Sequence, residues 1–165
     1  MANNQNQQKE IQIQFRLVNI EEKQFVKLCN EWPEGDMQIQ NSLNYAADTE
    51  QRVVRCTTGI EFKQNDITQL ILKVQAIFEF ERQGWSAMYN LNEDAWILPC
   101  GLVQHLADIT IGATRGVLAV RTQENGIKNI VLPLIHPSQI INNNLRFERQ
   151  PAAPSEENGE VLADA

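Results

Sequence analysis

Cys100 is the residue in this chain best placed for nucleophilic chemistry. It falls in the first turn of a predicted helix beginning near Pro99, where the helix dipole lowers a thiol pKa. A catalytic cysteine also needs a base beside it. His105 lies five residues on, about 140° around the helix, and cannot face the thiol from the same helix. Cys100 therefore reads as a buried or silent thiol. His105 and Asp108 form an i, i+3 pair that could orient one another, with no serine near them in sequence. His136, between Ile135 and Pro137, reads as the tip of a loop. Two His and three scattered Cys (Cys29, Cys56, Cys100) offer no metal-ligand spacing. The expectation is a protein that is not an enzyme, with no catalytic residue, no metal and no cofactor.

Other spacings point to contact rather than catalysis. Gly112-Ala-Thr-Arg115-Gly116 has the look of a phosphate loop but lacks the Lys-Ser/Thr ending and does not run from a strand into a helix start. Glycines one helical turn apart, Gly112 and Gly116, instead let another backbone approach closely, the helix contact a subunit interface would want, and Arg115 between them either caps carbonyls at the helix end or joins an interfacial pair. Glu79 and Glu81, two apart on a predicted strand, share one face. That face is either a plain solvated surface or an acidic docking patch. Trp32, Trp85 and Trp96 fall in predicted loops or at element ends. Such rings are either peripheral core or the lining of an aromatic groove. Leu134, Ile135 and Ile141, around a Pro-punctuated connector, carry the same two readings.

A chain of 165 residues is expected to form one domain with a core that needs no staples. Acids outnumber bases, 21 to 14. Four of the acids, Glu156, Glu157, Glu160 and Asp164, lie in residues 150–165, which leaves 17 against 14. The basic footprint that attracts nucleic acid or anionic membranes is missing, so a partner with a basic patch is favoured. Residues 1–10 are Asn/Gln-rich, with neither a basic nor an apolar leader region, and are expected to be disordered. No run of about 18 apolar residues occurs, so no membrane insertion is expected. An odd number of distant cysteines fits reduced thiols and a cytoplasmic location.

The elements that position these residues follow from periodicity. Residues 11–17, 37–47, 52–63 and 69–82 alternate or are β-rich, and read as four antiparallel strands joined by short turns. Residues 21–29 fit either a strand or a helix. Residues 84–94 read as a loop. From Pro99, Leu102, Leu106, Ile109, Ala113, Val117 and Val120 recur at helical spacing. That helix either continues or gives way to an extended stretch after Gly116. Residues 123–126 break it, and Pro137-Ser138 opens a second helix through about Phe147. Residues 150–165 are expected to be a disordered acidic tail.

This order of features resembles the SecB-type export chaperones, in a divergent branch. The resemblance rests on the strands, on residues 74–80 (Val-Gln-Ala-Ile-Phe-Glu-Phe), on residues 114–120 (Thr-Arg-Gly-Val-Leu-Ala-Val) and on residues 132–137 (Leu-Pro-Leu-Ile-His-Pro), and covers residues 11–149. The chain departs from better-known members by an insertion between Gly116 and Leu132. The resemblance implies an α+β fold, a four-stranded antiparallel sheet with two C-terminal helices on one side. It implies pairing through edge strands and a tetramer that is a dimer of dimers packed through the long helices. It implies a holdase that keeps unfolded preproteins competent for export and delivers them to SecA through an acidic sheet face, or a chaperone of a single partner such as an antitoxin. Trp32, Trp96, Leu134, Ile135 and Ile141 are then the expected client contacts, and Glu79 and Glu81 the expected docking face. A small enzyme or ligand-binding domain on the same frame is the alternative from another class.

Overall fold

A computed structural model describes residues 12–128 and 130–149. The expectations for residues 1–10 and 150–165 lie outside the described residues.

Four long strands dominate: β1 (Phe15–Lys27), β2 (Gln38–Asp48), β3 (Val53–Gln64) and β4 (Ile67–Phe80). They form an antiparallel sheet in the order β1-β4-β3-β2, so β1 and β2 are its edges. The β3–β4 hairpin turns on Asn65 and Asp66, both with positive φ (50° and 64°). Two consecutive left-handed residues give the turn whose twist matches the strands, and Asn and Asp tolerate that region best.

Alternation sorts each strand into two faces. On β4, Leu70, Leu72, Val74, Ala76, Phe78 and Phe80 are buried, as are Val54, Cys56, Ile60 and Phe62 on β3. Helix α2 (Cys100–Glu124) covers this face, burying Val103, Leu106, Ala107, Ile111 and Leu118. Three buried threonines on α2 satisfy their hydroxyls within the helix: Thr110, Thr114 and Thr122 donate to the carbonyls of Leu106, Thr110 and Leu118 at 2.7–2.8 Å. The fold is thus α+β, with a sheet layer and a helix layer around one core.

The structure decides two open readings, for residues 21–29 and for the helix beyond Gly116, and other boundaries differ from expectation. Residues 21–29 continue β1 to Lys27. Residues 84–94 are not a plain loop: they carry helix α1 (Arg82–Ala87) and β5 (Tyr89–Asn90), which pairs with β6 (Ala95–Leu98). Helix α2 does not end at Gly116 but runs two further turns to Glu124, and Gly126 (φ 65°) follows it. The second C-terminal helix is a single turn, α3 (Pro137–Ile140). The rest of its expected span contains β7 (Leu145–Glu148), which pairs with β6 in a three-stranded sheet. Pro137 starts a helical turn well, but the chain leaves it at Ile141, whose φ and ψ are extended. Among the described residues no helix is long and apolar enough to cross a membrane.

Candidate functional site

The inner face of the sheet is wider than helix α2. Toward the β2 edge the uncovered part faces residues 126–141, which return from α2 across the sheet. The space between β2 and this connector is an open trench with two cavities.

The larger cavity, about 620 Å³, is lined by Trp32, Met37, Ile39 and Phe62 on the sheet side and by Gly126, Lys128, Ile130 and Val131 on the connector side. Trp32 is half-buried, its ring edge-on to Phe62 at 6.3 Å between centroids. Glu34 and Asp36 also line it, together with Lys128. The connector side comes from the stretch that separates Gly116 from Leu132. The smaller cavity, about 60 Å³, is lined by Asn41, Leu43 and Thr58 from the sheet, Ile111 from α2, and Ile135 and Ile140 from the connector. Ile39, Asn41 and Leu43 are successive inner-face positions of β2, opposite Phe62, Ile60 and Thr58 on β3. The two cavities therefore follow one another along the sheet edge.

The connector is fastened at both ends. At one end the Ile127 N–H donates to the Thr122 carbonyl at 2.9 Å, the Arg115 guanidinium donates to the Pro133 carbonyl at 3.1 Å, and Ile127 and Leu132 are buried. At the other, the Gln104 amide donates to the Ile141 carbonyl at 2.8 Å, and the Cys100 N–H donates to Asn144 Oδ1 at 2.9 Å. Apolar surface remains open along it: Val131, Leu134 and Ile140 are 77%, 78% and 52% exposed.

Of the residues expected at a client surface, the structure brings Trp32 and Ile135 into the trench. Leu134 projects from the connector. Ile141 is half-buried against both halves of the core. Trp96 is not with them. It lies on β6, stacked on Trp85 at 5.6 Å and tilted against Tyr89 at 4.8 Å, and pairs across the small sheet with Phe147. Met37, Ile39, Phe62, Thr58 and Ile130 went unrecognised in the sequence because they reach the trench from separate elements.

The expected docking face looks different in three dimensions. Glu79 lies on the sheet face turned away from α2, bonded to Arg16 of β1 at 2.6 Å. Glu81 is beyond the end of β4, at the start of α1, so the two do not share a strand. The outer face also carries Arg55, Lys63 and Lys73 among Glu21, Glu61 and Asp48, a mixed surface rather than an acidic one. Lys23 bonds Glu21 and holds its carboxyl below the ordinary value.

Gly112 and Gly116 lie on the exposed side of α2. A Cβ added at either meets no atom within 4 Å beyond the helix itself among the described residues, so the close approach expected of them is not made within the protomer. Arg115 points elsewhere, to the connector. His105 and Asp108 are exposed on α2, with the His105 ring 5.8 Å from Phe15. The Cys100 thiol turns instead toward the Ile141 carbonyl, at 3.4 Å. The three do not converge. Below the trench, burial raises the pKa of the Cys56 thiol and of the Tyr45 phenol, whose hydroxyl donates to the Val103 carbonyl at 3.1 Å. Both are core groups, neutral at physiological pH. Among the described residues no group of His, Cys, Asp and Glu is arranged to hold a metal.

No family model matches the chain, and no curated protein matches it. Among solved structures it is similar to the SecB-like chaperone Rv1957 of Mycobacterium tuberculosis, solved in complex with a ChAD peptide from the HigA1 antitoxin. That likeness has a TM-score of 0.49 and 11% sequence identity, and covers 73% of this chain and 90% of that one.

Proposed function

We propose that this protein is a holdase chaperone that binds extended, non-native polypeptide segments in the trench between β2 and residues 126–141. The observation that carries the reading is the trench itself: an open, apolar-floored furrow along a sheet edge, with Trp32, Phe62 and Ile39 on one side and Ile130 and Ile135 on the other. An extended chain fits such a furrow in two ways. Its side chains on one face can fill successive cavities, and its backbone can pair with the edge strand. Affinity would come from apolar burial, at about 25 cal/mol per Å² before ordering costs. On this proposal Trp32 and Ile135 contact the client inside the trench, and the exposed Leu134 meets it beside the connector.

The sequence resemblance to SecB-type chaperones supports the same reading and extends it to preproteins as clients, a cytoplasmic location and delivery to SecA. On this proposal Gly112 and Gly116 offer a face for a second copy of the chain, toward a dimer of dimers. Glu79 and Glu81 would join a docking surface whose charge is mixed. The test is dilution of guanidinium-unfolded citrate synthase into buffer with the full-length protein. A holdase delays its light scattering at near-stoichiometric ratio. Unchanged aggregation ends the reading, while suppression confined to one co-purified companion replaces the general holdase with a dedicated chaperone.

A further inference from the structure

Between Leu132 and Pro137, both buried, the connector has little to hold it. Among the described residues, a single hydrogen bond reaches residues 128–135: the Arg115 guanidinium donates to the Pro133 carbonyl at 3.1 Å. Proline has no N–H, so that carbonyl is the only hydrogen-bonding group Pro133 owns. Arg115 lies one helical turn beyond Ile111 on α2, so the two side chains are neighbours on the helix surface. Ile111 lines the smaller cavity, and so does Ile135, two residues after Pro133. The bond therefore ties the connector to α2 beside a cavity that both of them wall. That cavity is about 60 Å³, against about 30 Å³ for one molecule of liquid water. It takes the end of a small side chain, and an indole enters only if Ile135 moves away from Ile111.

Resting on the holdase reading, we infer that Arg115 is a positioning residue that limits the size of client side chain the trench admits at its smaller cavity. It acts through Ile135. A small side chain enters with the connector in place. A bulky one must lift Ile135, and with it the span from Pro133, at the expense of the Arg115 bond. The larger cavity gives the client a second foothold. It opens at Ile39 and the smaller one at Leu43, four residues and about 13 Å apart on β2. An extended client has the same rise, so two of its residues four positions apart meet the two cavities.

Two short fluorescein-labelled peptides test this by anisotropy with the full-length protein. Both carry Phe, then three alanines, then Val in one and Trp in the other. The wild type binds the Val peptide at least as tightly as the Trp peptide, although Trp offers more apolar area. In Arg115→Ala the ratio of Val to Trp affinity falls about three- to tenfold, the value of one hydrogen bond. Arg115→Lys, whose ammonium can still donate to the carbonyl, restores most of it. General loosening of the fold would weaken both peptides alike and leave the ratio unmoved. Tighter wild-type binding of the Trp peptide, a ratio unchanged in folded Arg115→Ala, or no peptide binding overturns the role of Arg115. Should the melting curve show that Arg115→Ala does not fold, a Gly inserted after Leu134 slackens the same span and decides in its place, by the same ratio. If citrate synthase is still protected where the role fails, only that role falls. If it is not, the holdase reading falls with it.

Discussion

Trp32→Ala separates the trench from the aromatic stack around Trp96, and its size can be worked out. Trp32 is half-buried: one edge of its ring meets Phe62 and the remainder faces the larger cavity. A Trp side chain offers about 150–250 Å² of contact, so about 100 Å² is left for a client. At about 25 cal/mol per Å² that is about 2.5 kcal/mol, roughly seventyfold in affinity. Ordering of the client reduces it, so a loss between about tenfold and seventyfold is expected. Losing the Phe62 contact costs the fold only about 1–2 kcal/mol. Trp96→Phe is the control. It keeps a ring between Trp85 and Tyr89 and removes an indole N–H that has no partner among the described residues. Its client affinity stays within about twofold of wild type. Urea unfolding gives the stabilities, and anisotropy with a labelled unfolded client gives the affinities. If Trp96→Phe weakens binding as much as Trp32→Ala, or if folded Trp32→Ala binds normally, the assignment of the trench is refuted.

Other perturbations follow from the same geometry. Thr58→Val removes an orphaned buried hydroxyl at nearly constant shape and should stabilise the protein by about 1 kcal/mol in urea titration. Gly84→Ala places a Cβ 3.0 Å from Ile13 Cα and 3.3 Å from Gln14 N, both backbone, and should lower the melting temperature by several degrees, about 1–3 kcal/mol. Gly112→Ala and Gly116→Ala meet nothing in the protomer and should each add up to about 1 kcal/mol of helix stability; light scattering that shows smaller assemblies for these variants supports their place between subunits, and unchanged assembly removes it. Alkaline pH should destabilise the fold. The Cys56 thiol and Tyr45 phenol have raised folded pKa values, so the unfolded chain loses their protons first, and stability falls as pH rises through about 9 and then 10. Urea midpoints across that range should drop, and less so in Cys56→Ala and Tyr45→Phe.

The large sheet was legible because its strands bury one face and alternate cleanly, as residues 70–80 do. The continuation of β1 was not, because irregularities between Leu17 and Asn19 and between Glu22 and Gln24 break its alternation. The small sheet was invisible for another reason: β6 and β7 are four residues each and lie about fifty residues apart, so neither signals its partner. Pro137 announced a helix, and the start was right. Its end differs because Leu145 and Phe147, at spacing two, belong to a four-residue strand too short to show in the sequence. At the proposed site, Trp32 and Ile135 could be singled out in the sequence as apolar residues near Pro. Thr58 could not be, since a threonine in a β-rich run is unremarkable until its hydroxyl is seen to lack a partner. Trp96 shares with Trp32 its residue type and a predicted place at an element end, and only the strand β6 and the stack with Trp85 separate them.

Residues 126–141 hang between two moorings, the end of α2 and the start of α2 beside β7, with the furrow beneath them. The gap under such a strap is governed by how many residues span it as much as by which residues they are. Adding or removing a few there would widen or narrow the passage while leaving both anchor points intact. Related chains could thus admit thicker or thinner cargo by changes in length alone, without altering a single residue of the sheet.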